Sequence, residues 1–143
     1  MASANFTYLT RYLATGAVVY GTDTFKMLLC SSVPSETNLD TWQDRADVTN
    51  EIAAGGGYST GGINITATLN AISTSTNKQT VTFSTANPAI AAFTGSFLAA
   101  IIYKSTGTAA NDLLCHMIDF AGTITGGGGP LTFTFTNDFE IQR

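Results

Sequence analysis

The chain has 143 residues, of which 11% are charged and 44% hydrophobic, and its net charge is −4. A chain of this length predicts a single domain over residues 1–143, which buries about 70% of its unfolded surface and needs no metal or disulfide to fold. The six basic residues are scattered, which argues against nucleic acid as a partner. No apolar run approaches the roughly 20 residues of a membrane helix, so no membrane partner is expected.

The first predicted element is a short amphipathic helical segment over residues 4–13. Phe6, Leu9, Tyr12 and Leu13 recur there at spacings of three, three and one. A strand follows over residues 24–30, and it becomes wholly apolar towards Cys30. The N-terminal residues do not resemble a secretory signal, so synthesis in a cytoplasm is expected.

Residues 31–50 hold much of the charge of the chain and predict an excursion from the sheet. Asp40 is expected to cap a helical turn that continues through Asp47. Trp42, the single tryptophan, is either a packing residue or an exposed anchor for a partner. The spacing of Asp40, Asp44 and Asp47 misses the pattern of a calcium loop, which favours a solvated acidic loop.

Glycines dominate residues 55–62, where they allow positive φ angles and close approach of neighbouring backbone. A phosphate-binding loop is not predicted, because the lysine of that motif is missing and a strand pattern follows instead of a helix. The four glycines 126–129 are expected to form a mobile hairpin tip.

The remaining strands are predicted over residues 63–72, 79–84, 95–104, 113–120 and 131–141. Residues 131–136 alternate large apolar side chains with threonines, which is typical of a strand buried on one face. Short strands between regular turn signals predict an all-β fold, an antiparallel, jelly-roll-like sandwich or barrel. The expected single core contains Leu28, Ile65, Phe83, Ile101, Leu114, Ile118, Phe133 and Phe135.

The titratable residues form no pattern that predicts catalysis or a cofactor site. If Cys115 faces inward, alternation turns His116 outward, so a Cys–His nucleophilic pair is not expected. Two cysteines and one histidine do not supply the four ligands of zinc. Carboxylates that could hydrolyse a glycoside occupy exposed-looking positions without a signature, namely Asp112, Asp119, Asp138 and Glu140. Cys30 and Cys115 lie in apolar runs and predict two buried free thiols.

Three features together resemble a family of small structural proteins of tailed-bacteriophage virions. They are the turn and strand over residues 16–29, the Gly-Tyr-Ser-Thr-Gly-Gly turn at 57–62, and the Ile-Ile-Tyr-Lys-Ser-Thr-Gly-Thr strand at 101–108 with the Ile-Asp-Phe ending at 118–120. They occur in the same order over nearly the whole chain. Ala121 stands where a glycine is usual in similar sequences, and residues 31–50 are specific to this chain.

The resemblance implies a capsid decoration, or cement, protein without a catalytic residue or cofactor. Its partners would be the major capsid protein and further copies of itself, and its location would be the virion. The excursion at 38–47 and the glycine loops 55–62 and 126–129 are the expected contact segments, with Trp42, Asp44, Arg45, Tyr58 and Gly61 as candidate contact residues.

Two alternatives stay open. One is a tail, baseplate or connector component. The other is a carbohydrate-binding β module, in which Trp42, Tyr58 and Tyr103 would present stacking faces. The low charge fits an interface covered by neighbouring protein, but a solvated Ser/Thr-rich β surface explains it equally well.

Overall fold

The computed structural model describes residues 2–76, 78–136 and 139–141, without side chains for 140 and 141. Seven strands and two short helices follow the chain in this order: β1 (Ala2–Asn5), α1 (Leu9–Ala14), β2 (Phe25–Cys30), α2 (Glu36–Thr41), β3 (Ile63–Leu69), β4 (Gln79–Thr85), β5 (Ser96–Lys104), β6 (Leu114–Thr125) and β7 (Phe139–Ile141). Two 3₁₀ turns cover Arg45–Asp47 and Ala109–Asn111. No helix in the described ranges is long and apolar enough to cross a membrane.

All seven strands belong to one antiparallel sheet with the order β1-β6-β5-β2-β3-β4-β7. Strands β3, β4 and β5 are rich in β-branched and aromatic residues, which fit a pleated and half-buried surface. The predicted all-β class is therefore confirmed. The predicted boundaries of β2 to β5 hold within three residues, whereas β6 runs five residues past its predicted end.

The sheet is strongly curled. The ring centroids of His116 on β6 and Phe139 on β7 are 4.5 Å apart, although β6 and β7 are separated by five strand spacings in the order of the sheet. In a flat sheet that separation would be about 24 Å. One face is therefore concave, and it encloses side chains from both ends of the sheet.

Both faces of the sheet are buried at its centre, whereas the sequence predicted a single core. On β2, Met27 and Leu29 join the larger apolar cluster, and Leu28 and Cys30 join a smaller one on the opposite face. This burial on both sides explains why β2 is apolar without alternation. Six of the eight predicted core residues are buried, namely Leu28, Ile65, Phe83, Ile101, Leu114 and Ile118.

The predicted strand over residues 131–141 is wrong for most of its length. Leu131 forms one isolated bridge with Ile90, and residues 132–136 are not in the sheet. Of the described residues in this range, only Phe139–Ile141 pairs as a strand, with β4. The alternation nevertheless marks the faces correctly, because the threonines are exposed while Leu131, Phe133 and Phe135 are half-buried against the larger cluster. Period-two spacing indicates which side of an extended segment faces apolar atoms. An extended segment can have this spacing without pairing with a neighbouring strand.

The N-terminal segment divides into two elements instead of forming one helix. Residues 2–5 pair with β6 as an edge strand, and the helix begins only at Leu9. Phe6 therefore belongs to the smaller cluster, whereas Leu9 and Tyr12 belong to the larger one.

The prediction of a helical turn capped by Asp40 is also wrong. Asp40 lies inside α2, which Ser35 caps through a capping box with Asn38. Asp44 caps the separate turn Arg45–Asp47.

The two thiols are free and buried, as predicted. Cys30 belongs to the smaller cluster and Cys115 to the larger one, so the sheet itself lies between them. Burial raises the pKa of each thiol to about 12.

Candidate interaction surface

An ion pair fixes the excursion to the connection between β5 and β6. Arg45 Nε donates to Asp112 Oδ2 at 2.8 Å, and the Asp112 side chain is 1% exposed. The other carboxylate oxygen accepts from the backbone N–H and the hydroxyl of Thr106. Burial alone would raise the pKa of Asp112, but these hydrogen bonds outweigh it and lower the pKa. The expected exposed position of Asp112 is therefore wrong, and this carboxylate has a structural role.

Arg45 also packs on an aromatic ring that leads to the glycine-rich turn. Its guanidinium carbon lies 5.7 Å from the centroid of the Tyr103 ring, a cation–π geometry. The Tyr103 hydroxyl donates to the carbonyl of Gly61 at 2.6 Å. Burial raises the pKa of Tyr103 to about 12, so its hydroxyl stays a donor at neutral pH. The excursion and the turn at 57–62 are thus joined through one buried tyrosine.

Glu51 completes this connection from the other side. Its Oε1 accepts from the Tyr58 hydroxyl at 2.8 Å and from the Gly61 N–H at 2.7 Å. The Tyr58 oxygen in turn accepts from the N–H of Leu29 on β2. We call the six residues Arg45, Glu51, Tyr58, Gly61, Tyr103 and Asp112 the anchor network.

The two glycine loops meet at a third loop, residues 92–95. Thr94 N–H donates to the carbonyl of Gly56, and Gly126 N–H donates to that of Gly95. The approach is too close for side chains. A Cβ on Gly57 would lie 2.2 Å from the Ala92 carbonyl oxygen, and one on Gly126 would lie 2.3 Å from the Phe93 carbonyl oxygen. We call residues 55–57, 92–95 and 126–129 the glycine surface.

The four-glycine segment is therefore held by backbone hydrogen bonds. Gly128 N–H donates to the Phe93 carbonyl at 2.7 Å, and Phe93 N–H donates to the Gly129 carbonyl at 2.9 Å. The segment was expected to be a mobile hairpin tip, and these bonds tie it to the loop at 92–95. Gly127, Gly128 and Gly129 nonetheless remain exposed to solvent.

A pocket of about 230 Å³ opens beside this surface, between the turn at 57–62 and the end of β4. Its lining includes Gly57, Tyr58, Ile63 and Ile90, and it contains no charged side chain.

The five predicted contact residues occupy two different environments. Trp42, Asp44 and Arg45 are half-buried, and Trp42 packs against the smaller apolar cluster. Tyr58 is buried at 3% exposure, and Gly61 is also buried. Arg45, Tyr58 and Gly61 are joined within the anchor network, so they position the surface more than they form it. Sequence reasoning missed Glu51, because it belongs to no motif. Only the two hydrogen bonds that its carboxylate accepts in the fold identify it.

The stacking faces that the carbohydrate-binding alternative requires are not formed at two of the three rings, because Tyr103 is 1% exposed and Tyr58 is 3% exposed. Among the other carboxylates, Asp119 is half-buried, Asp138 lies outside the described residues, and the Glu140 side chain is not described.

His116 is buried, contrary to its predicted outward orientation. Ile102 pairs with His116 and Tyr103 with Leu114, which leaves Cys115 as the extra residue of a β-bulge. The bulge places Cys115 and His116 on the same concave face. The Nδ1 atom of His116 lies 2.7 Å from Asn5 Oδ1, which is an acceptor, so Nδ1 carries the proton. The Nε2 atom of His116 therefore accepts a hydrogen bond from the Tyr20 hydroxyl at 2.6 Å.

Burial lowers the pKa of His116 to about 3, so the imidazole is neutral at physiological pH. Both ring nitrogens are engaged, which leaves neither to accept a proton from Cys115. Among the described side chains, no three His, Cys, Asp or Glu residues cluster as metal ligands would.

Comparisons of this chain with protein-family profiles, with curated proteins and with solved structures found no match.

Proposed function

We propose that this chain is a virion structural protein that decorates and stabilises an assembled bacteriophage head. The observation that supports the proposal most is the continuity of the three expected contact segments. The anchor network joins the excursion to residues 57–62, and the glycine surface joins residues 55–57 to 126–129. Segments about 80 residues apart in the chain are thereby connected by hydrogen bonds and packing.

The composition of the glycine surface suits a protein partner. It contains no charged residue, and its glycines expose backbone groups that can hydrogen-bond across an interface. Because the backbone is braced by internal hydrogen bonds, little conformational entropy is lost on docking.

The proposed role is binding, without catalysis or a cofactor. In this proposal Asp112 and His116 are structural, since each is buried and hydrogen-bonded within the protein. At the finer level of fold, a jelly-roll-like sandwich or barrel remains part of the proposal, and the curled sheet is closer to a barrel.

A decoration protein bridges neighbouring coat subunits, so its complete site exists only after assembly. Binding to the assembled state alone then stabilises the shell by mass action. The same logic predicts weak binding to free coat subunits.

The test measures co-sedimentation of the purified protein with expanded, DNA-free heads and with free coat subunits. We expect strong binding to heads only. Gly127→Arg, which places a long charged side chain in the open space of the glycine surface, should reduce binding at least tenfold. Thr10→Arg, on the exposed side of α1, is the matched control and should bind as the parent does. Equal binding to heads and subunits, or no binding to heads, would reject the proposal.

A further inference from the structure

One edge of β3 is open along its second half. β3 pairs with β4 as far as Leu69, but it pairs with β2 only through residues 63–65. Within the described part of the chain, no strand lies beside residues 66–69 on the β2 side. Although β3 is an inner strand of the sheet, residues 66–69 therefore have an unpaired edge on the β2 side.

The hydrogen-bonding groups on this edge belong to two residues. Asn70 N–H donates to the Thr80 carbonyl on β4. Because backbone groups alternate in direction along a strand, residues 66 and 68 also point their N–H and C=O towards β4. Ala67 and Leu69 consequently point theirs outward, which gives the open edge two donors and two acceptors.

This edge has none of the usual protection against pairing. Natural edge strands carry charges, prolines or bulges that discourage a neighbouring strand. Residues 66–69 read Thr-Ala-Thr-Leu and contain none of these.

Exposed apolar side chains lie at the same place. Ile65 and Ala67 face the larger cluster, and Leu69 shares their face but is 42% exposed. Ile72, in the following loop, is 65% exposed. The apolar stripe of β3 therefore extends past the core that covers it.

We propose that two copies of this chain pair through residues 66–69 of β3, antiparallel, about a two-fold axis at Thr68. A two-fold axis perpendicular to the sheet keeps the side chains of each face on that face. In an antiparallel pair, such an axis must pass between one residue and the same residue of the other copy, directly opposite it. Centred on Thr68, it places Ala67 opposite the partner's Leu69. Apolar side chains then meet on one face, and threonine meets threonine on the other.

This register satisfies every group of the open edge. Ala67 exchanges two hydrogen bonds with the partner's Leu69, and the symmetry repeats the exchange, which gives four bonds. Because β3 ends at Leu69, the partner strand stops before the position that β2 occupies beside Ile65. The edge is thus complementary to itself in its length and in its pattern of donors and acceptors, and it carries no charge that would repel its copy. For these reasons we identify a second copy of this chain as the occupant.

The pairing involves four residues from each copy, so it buries less than the roughly 1,000 Å² of a stable interface. Dimers in dilute solution are therefore weak, and many copies held close together would strengthen them. The pairing does not depend on the proposed function.

Disulfide trapping tests the register. Thr68 forms a non-hydrogen-bonded pair with its copy, at a Cα separation of about 4.5 Å, which a disulfide can bridge. Thr66→Cys is the matched control, because it is exposed on the same face but lies about 14 Å from its own copy in this register. The native cysteines are buried and do not compete. Both variants are oxidised under native conditions and analysed on a non-reducing gel.

We expect covalent dimer from Thr68→Cys at least fivefold above that from Thr66→Cys. Adding Leu69→Lys to Thr68→Cys should reduce the dimer at least fivefold, since it places two charges at the contact. Equal cross-linking of the two cysteine variants, no dimer from Thr68→Cys, or no effect of Leu69→Lys would overturn the proposal. Far-UV circular dichroism establishes that each variant is folded.

Discussion

The ring centroids of His116 and Phe139 lie 4.5 Å apart, although their strands β6 and β7 are separated by four other strands in the sheet order. Phe83 joins them, with its ring 5.6 Å from His116 and 5.3 Å from Phe139. These three rings connect β6, β4 and β7 across the concave face. They therefore report the curl of the sheet, which no single strand pattern predicts.

Phe83→Ala should destabilise the protein by about 3–5 kcal/mol, because the ring is 2% exposed and its removal leaves a cavity among aromatic neighbours. Phe133→Ala, at a half-buried position of the segment outside the sheet, should cost clearly less. Urea unfolding monitored by circular dichroism measures both. A larger loss for Phe133→Ala would mean that the segment at 132–136, and not the curled sheet, carries the core.

The buried histidine predicts a loss of stability towards acid. The folded pKa of about 3 lies below the unfolded value of about 6.5, so the unfolded state binds the proton first as the pH falls. Stability should therefore decrease between about pH 6.5 and 3, with a slope of up to about 1.4 kcal/mol per pH unit.

The region between pH 7.5 and 5 isolates this effect, since ordinary carboxylates titrate below it. Unfolding free energies measured there should slope downward with acid in the parent protein and be nearly flat in His116→Gln. An equal slope in both proteins would assign the acid sensitivity to another group.

Arg45→Met should destabilise the protein by about 1–3 kcal/mol, because it removes a charged donor from a buried carboxylate. Asp112 has a lowered pKa, so it contributes stability above its unfolded pKa that is lost as the pH falls through the folded value. Without Arg45 the folded pKa of Asp112 should move up towards its unfolded value, so the stability lost on acidification should be smaller in the variant. A pH titration of unfolding free energy for parent and variant measures the change, and superimposable acid limbs would contradict the role of the ion pair.

Gly57→Ala should destabilise the protein by more than about 1 kcal/mol, since φ is +88° and the added Cβ would lie 2.2 Å from the Ala92 carbonyl oxygen. Gly127→Ala provides the control, because nothing lies within 4 Å of its Cβ position. Thermal unfolding of the two variants distinguishes them. Equal melting temperatures would show that the glycine surface is not closely packed at residue 57.

The thiols should react with an aromatic disulfide reagent only after unfolding. Cys30 and Cys115 are fully buried, and their raised pKa values keep both protonated. Ser31→Cys adds an exposed thiol beside Cys30 and should react rapidly. Rapid reaction of the parent protein without denaturant would contradict the burial.

The sequence predicts the strands well where the side chains carry the signal. β3 to β5 are found because β-branched and aromatic runs end at clear turn residues, and β2 is found because its run becomes apolar towards Cys30. The buried thiols follow from their apolar neighbours. The bulge at Cys115 is not predictable in this way, because it depends on how β6 pairs with β5. One extra residue was enough to reverse the predicted orientation of His116.

The sequence indicates the segments that make up the candidate surface, but not the contacts that connect these segments. The glycines at 55–57 and 126–129 mark close backbone approach, yet their common neighbour at 92–95 has no motif that identifies it. The carbohydrate-binding alternative requires exposed rings at Tyr58 and Tyr103. Their hydroxyls instead find buried acceptors, a pairing that only the fold brings together.

We propose that this chain decorates an assembled head, and the number of its copies in each virion distinguishes that role from one in the tail. Purified particles are analysed by quantitative mass spectrometry against labelled standards of this chain and of the major capsid protein. The proposal predicts hundreds of copies, in a fixed ratio to the coat subunit. A number matching a single tail ring, or the absence of this chain from the particle, would contradict it.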